Sequence, residues 1–153
     1  MEQLTLPRPN TVPNVAPRPE SFTPARNPLA GLPGLTSRVA VYVPSTYDVD
    51  QLTTAQVVNY QREKVAETLS RYFGGYTEVI GSGGWFSEQK GKVIRETVYI
   101  VYAGCDPQAL ARCLASVIRL AGQVARDMRQ EAVTVEIDGR LYFVPPSAAD
   151  MLP

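Results

Sequence analysis

The 153 residues carry 15 basic and 15 acidic side chains and no histidine. That length suits one domain with an appendage. The missing histidine excludes Ser-His-Asp triads, Cys-His dyads, the H-E-x-x-H zinc helix and zinc fingers of two Cys and two His. Zero net charge supplies no overall basic field to draw the chain to nucleic acid or an acidic membrane surface.

No run approaches 18 apolar residues, and Met1 to Leu6 has neither a basic n-region nor an apolar h-region, so a cytoplasmic protein is expected. Cys105 and Cys113 are too few for a disulfide framework and cannot alone complete a four-ligand zinc site. Neither metal nor cofactor is expected.

Residues 1–35 read as an extended proline-rich arm. Eight of the 13 prolines fall between Pro7 and Pro33, with Phe22 the one aromatic residue among them. Such a segment buries too little surface alone to offset its ordering entropy. Pro7-Arg8-Pro9-Asn10 recurs as Pro17-Arg18-Pro19-Glu20, and polyproline geometry would project each arginine from a stiff scaffold. No two arm prolines have P-x-x-P spacing, which argues against SH3 docking. Phe22, Leu29, Leu32 and Leu35 are the candidate anchors on a partner.

From residue 36 to 146 the texture is that of a folded domain. Val39, Val41 and Val43 alternate with Ala40 and Tyr42 until Pro44, as in a half-buried strand. After the polar segment Ser45 to Gln51, Thr53 or Thr54 caps a helix lined by Val58, Val65, Leu69, Tyr72 and Phe73 and closed by Gly74-Gly75. Tyr76 to Ser87 and Lys92 to Tyr102 flank Glu88-Gln89-Lys90-Gly91 as a hairpin, with a bulge or bend expected at Gly81, Gly83 and Gly84. Asp106-Pro107 is a cap followed by a proline at the first helical position. Leu110, Leu114, Val117, Ile118, Ala121, Val124, Ala125 and Met128 then recur at helical spacing. Val133, Val135 and Ile137 form another strand, returned by Asp138-Gly139 through Leu141 to Val144. Residues 147–153 read as an irregular tail. The order strand, helix, strand, strand, helix, strand, plus one short strand, predicts an α+β ferredoxin-like domain with both helices on one sheet face.

The open face is then the place to seek function. Tyr42 belongs to it if the valines beside it face the helices, and Tyr99 with Val101 are assigned there, with Val98, Ile100 and Tyr102 as the other register. Such an apolar sheet calls for a cover, either the arm or another subunit. An RNA-binding sheet would carry K/R-G-F/Y-G/A-F-V-x-F/Y, which does not occur between Lys92 and Tyr102. Arg112, Arg119 and Arg126 recur every seven residues on the second helix and, with Arg8, Arg18 and Arg26, are candidate anion or nucleic-acid contacts, though a solvated face explains the stripe as well. Glu78, Ser82, Trp85 and Glu96 cluster in sequence around the glycine-rich hairpin as a candidate ligand site. Cys105 precedes a helix N-terminus, a position that can activate a thiol, but without a histidine a buried inert cysteine is the simpler reading.

Arg38 to Val144 resembles small uncharacterised bacterial α+β proteins, some associated with mobile elements. The residues behind the likeness are Phe73-Gly74-Gly75-Tyr76, Gly84-Trp85, Gly91, Glu96, Gln130-Glu131-Ala132-Val133 and Glu136-Ile137-Asp138-Gly139. The resemblance implies the fold and carries no activity. The functional expectation is a non-enzymatic interaction or structural subunit that oligomerises or packs into an assembly of protein partners, its arm docked on a neighbouring surface. A nucleic-acid-associated factor and a small-ligand protein or enzyme at the Trp85 hairpin are the alternatives.

Overall fold

The structure is a computed structural model that describes residues 27–151. The chain divides into Met1–Pro33 and Gly34–Pro153. In the first unit, Asn27 Oδ1 accepts the Leu29 N–H at 3.0 Å and turns the chain.

The second unit is α+β. Strand β1 (Ser37–Pro44) is followed by a short hairpin of β2 (Thr46–Tyr47) and β3 (Gln51–Leu52), helix α1 (Ala55–Phe73), strands β4 (Thr77–Ser87) and β5 (Lys92–Cys105), helix α2 (Pro107–Asp127), strands β6 (Val133–Ile137) and β7 (Arg140–Val144), and a 3-10 turn, Pro146–Asp150. The main sheet runs β4-β5-β1-β6-β7 with every neighbouring pair antiparallel.

Local chemistry sets the boundaries. Thr54 caps α1 by accepting from the Val57 N–H, and Gly74 ends it in the left-handed region at φ 86°, donating to Ser70 O. Asp106 accepts from the Gln108 and Ala109 N–H groups ahead of Pro107. Asp138 and Gly139 both take positive φ, as a two-residue hairpin requires.

One sheet face joins the helices. Val39, Val41 and Val43 pack with Val101, Ala103, Val133 and Val135 from the sheet, Val65 and Leu69 from α1, and Val117, Ala121 and Val124 from α2. Tyr72, expected to line α1, is exposed. The segment after β1, read as merely polar, forms the β2-β3 hairpin across Asp48 and Val49, both at positive φ. The expected irregular tail is instead the 3-10 turn, whose Ala148 and Ala149 are buried against Gly122 of α2. Among the described residues no helix is long and apolar enough to cross a membrane.

Candidate functional site

The face of the sheet away from the helices is set by register. Tyr42 stands opposite Ile100 and Pro44 opposite Val98, while Ala40 stands opposite Glu136. Tyr99 and Val101, expected on this open face, instead pair with Val43 and Val41 and turn to the helices, where Val101 is wholly buried. Because all five residues from Val98 to Tyr102 are apolar or aromatic, composition does not mark the face, and only pairing with β1 does so.

The β4-β5 hairpin runs on past the end of β1. The ladder across Gly81, Ser82, Gly83 and Gly84 is continuous, with Gly81 opposite Val98 and Gly83 opposite Glu96, so the expected bulge is absent. The tip is tied down on its far side. Ser87 Oγ donates to Glu131, and Lys92 pairs with Asp50 at 2.7 Å. Ser45 N–H donates to Thr97 O at 3.2 Å.

This arrangement encloses a pocket of about 480 Å³ on the open face. Tyr42, Trp85, Val98, Ile100, Thr134 and Phe143 supply most of its wall, and Glu96 supplies a carboxylate. Gly81 and Gly83 form a bare floor: a Cβ on either would meet only Val98, at no less than 3.5 Å. Side chains there would fit the fold but fill the pocket. Phe143 stands at the rim, 73% exposed.

Glu96 is held by the loop after β1. Thr46 Oγ1 donates to Glu96 Oε2 at 2.7 Å, and Gln130 Nε2 donates to Thr46 O at 2.8 Å, so a buried glutamine fixes the residue that fixes the carboxylate. Burial pushes the Glu96 carboxyl above its ordinary value of 4.5, against the opposing pull of Thr46, the Ser45 and Thr46 backbone N–H groups and the Trp85 indole. Tyr42 Oη donates to Glu136 Oε2 at 2.7 Å. Burial, and then that carboxylate, raise the Tyr42 phenol, which therefore stays protonated at neutral pH.

Of the hairpin candidates, Trp85 and Glu96 line this pocket from the open face, and Ser82 borders it although its pairing with Thr97 places it on the helix side. Glu78 does not. It stands opposite Val101, which places it on the helix side, and its carboxylate is bound by Arg62, whose Nε donates at 2.8 Å. Glu78 and Glu96 therefore lie on opposite faces of the hairpin. Arg62 also covers the Tyr99 ring at 4.2 Å. Missed by the sequence reading were Thr134, Phe143 and the Gln130-Thr46 brace, although the Gln130-Glu131-Ala132-Val133 segment had stood out as a motif.

The remaining candidates lie elsewhere. Arg126 is held by Asp150 at 2.6 Å, Arg112 is exposed and Arg119 half-buried, so the helix-two stripe is partly neutralised. Leu29, Leu32 and Leu35 are exposed, and Leu35 lies against Gly104. Phe22, Arg8, Arg18 and Arg26 lie outside the described residues. Cys105 is buried at the end of β5, and burial raises its thiol, the opposite of activation. Among the described residues no three acidic or thiol side chains converge as a metal-binding group.

No protein-family model and no curated protein matches the chain. Among solved structures it is similar to a phage SAM lyase in complex with S-methyl-5'-thioadenosine, at 14% identity and a TM-score of 0.54, over 74% of this chain and 95% of that one. It is also similar to a phage SAM lyase in the apo state, at 17% identity and a TM-score of 0.53, over 80% and 96% of the two chains. At such identities the likeness speaks for the fold alone.

Proposed function

We propose that this chain binds a small nucleoside-type ligand, of the class of S-methyl-5'-thioadenosine, in the pocket on the open sheet face. The observation that carries the reading is the pocket itself, within the roughly 300–1,000 Å³ range of small-molecule sites and walled by apolar and aromatic groups with few polar ones. Trp85 and Tyr42 offer ring faces for a base. Glu96 and the Tyr42-Glu136 pair offer acceptors for ribose hydroxyls. No lysine or arginine lines the pocket, so a phosphate would meet the Glu96 carboxyl group and no counter-charge. A nucleoside thioether or a sulfonium suits such walls better than a nucleotide. The strand order β4-β5-β1-β6 with two crossover helices supports a ferredoxin-like core extended by β7, and the likeness to a lyase seen with S-methyl-5'-thioadenosine supports the choice of probe.

A second reading follows from the rim. Phe143 and Leu141 are exposed on the open side of β7, and Leu29, Leu32 and Leu35 are exposed ahead of β1. These favour an interaction subunit whose sheet is covered by protein partners, with the arm docked on a neighbour.

Trp85 is the chain's one tryptophan and lines the pocket, so its fluorescence reports occupancy. Titration with S-methyl-5'-thioadenosine should change the emission saturably, and a 5'-phosphorylated nucleoside should bind far more weakly. An emission unchanged up to millimolar S-methyl-5'-thioadenosine would overturn the ligand reading and leave the interaction subunit.

A further inference from the structure

Strand β4 ends the sheet, and among the described residues its one partner strand is β5. Sheet edges are normally protected by lysine, proline or a bulge. None interrupts the stretch from Val79 to Ser87, which contains no charged residue and pairs with β5 without a bulge. Its helix-side residues are Ile80, Ser82, Gly84 and Phe86, whereas α1 packs chiefly on β5 and β1 and bonds β4 at Glu78, outside that stretch. Ile80 is consequently 63% exposed and Phe86 55% exposed.

The pattern along this edge is self-complementary. We propose that β4 pairs antiparallel with β4 of a second copy of this chain about a twofold axis at Gly83, joining two sheets into one. In that register Ile80 opposes Phe86 of the second copy, and the reverse pair repeats across the axis. Residues directly opposite in an antiparallel pair share a face, and β-branched residues against aromatic ones are favourable cross-strand pairs. Gly81 then opposes Trp85 of the second copy, so no two bulky side chains collide at that pair. A register centred at Ser82 would set Ile80 against Gly84 and Phe86 against the Glu78 carboxylate, leaving both apolar side chains unmatched. The twofold match is what selects a second copy over an unrelated peptide.

Size and charge agree with this partner. The eight residues from Val79 to Phe86 present about 26 Å of edge that β5 leaves unpaired. Ile80 and Phe86 flank that edge on one face, both exposed, so pairing with a second copy covers apolar surface as well as the strand backbone. The stretch that pairs is uncharged, so no like charges meet across the axis between Val79 and Ser87.

Light scattering of the eluting full-length protein tests the proposal. The wild type should elute at twice its 16.8 kDa chain mass. Ile80→Lys and Phe86→Glu should each give monomers, since neither side chain lines the ligand pocket or joins the core and each variant should keep the wild-type circular dichroism. Ile80→Lys combined with Phe86→Glu should regain the dimer, because the introduced opposite charges then face each other twice. A monomeric wild type, a dimer that survives both single substitutions, or a double variant that stays monomeric would overturn the proposal.

Discussion

Gly122 lies in the middle of α2, where glycine ordinarily costs about 1 kcal/mol relative to alanine. Gly122→Ala would therefore be expected to stabilise an isolated helix. Here a Cβ would stand 2.4 Å from the Ala149 backbone nitrogen and 2.7 Å from the Ala148 carbonyl carbon. Both are backbone atoms, so the 3-10 turn must move. Overpacking of this kind costs roughly 1–3 kcal/mol, and because backbone atoms must shift the upper part of that range applies, leaving a net loss of up to about 2 kcal/mol after the propensity gain. In a chain of this size that corresponds to a Tm lowered by several degrees, at roughly 2–4 °C per kcal/mol. Urea unfolding followed by circular dichroism gives the difference directly. The same substitution in a chain ending at Pro145 should lose its penalty and show the ordinary helical gain. If Gly122→Ala raised the midpoint of the full chain, the packing of the 3-10 turn on α2 would be refuted.

Three further outcomes follow from the site and its surroundings. Burial raises the Glu96 carboxyl, so the folded state binds the proton more tightly than the unfolded chain, and stability should fall as pH rises above about 4.5 through the folded pKa; Glu96→Gln should gain on the wild type across that window in urea midpoints, and parallel profiles would count against it. Glu78→Gln should cost about 1 kcal/mol through loss of the partly buried Arg62 pair while leaving the Trp85 titration unchanged, whereas a weakened titration would return Glu78 to the site. Tyr42→Phe removes the donor to Glu136; ligand affinity should drop about three- to tenfold, the worth of roughly 1 kcal/mol, and an unchanged calorimetric affinity would exclude that pair from binding.

What was legible in the sequence was what neighbouring residues decide. Asp106-Pro107, Gly74 and Asp138-Gly139 satisfy helix ends and a turn within a few residues, and each stands where those rules put it. Trp85 and Glu96 are close enough in sequence to be grouped, and they share the pocket, with Ser82 at its border. Glu78 was grouped with them on the same ground and fails by parity: it sits five ladder positions from Gly83 opposite Glu96 and on the other face. Tyr99 and Val101 fail likewise, because an unbroken apolar run hides the two-residue period until β1 supplies the register. Gly122 and Thr134 carry no local signal, and the motif that holds Gln130 does not say what its side chain bonds. Their roles arise from the 3-10 turn, the loop after β1 and the β4-β5 hairpin, each brought near by distant parts of the chain.

The pocket is the centre of this account, and its floor gives the most direct test. Calorimetric titration of S-methyl-5'-thioadenosine into the wild type and Gly83→Val compares an open floor with a filled one, at a position where the added Cβ meets only Val98 at 3.6 Å. The account predicts saturable binding to the wild type and its loss in a variant of unchanged urea midpoint. Equal binding by both proteins, or none by the wild type, would contradict it.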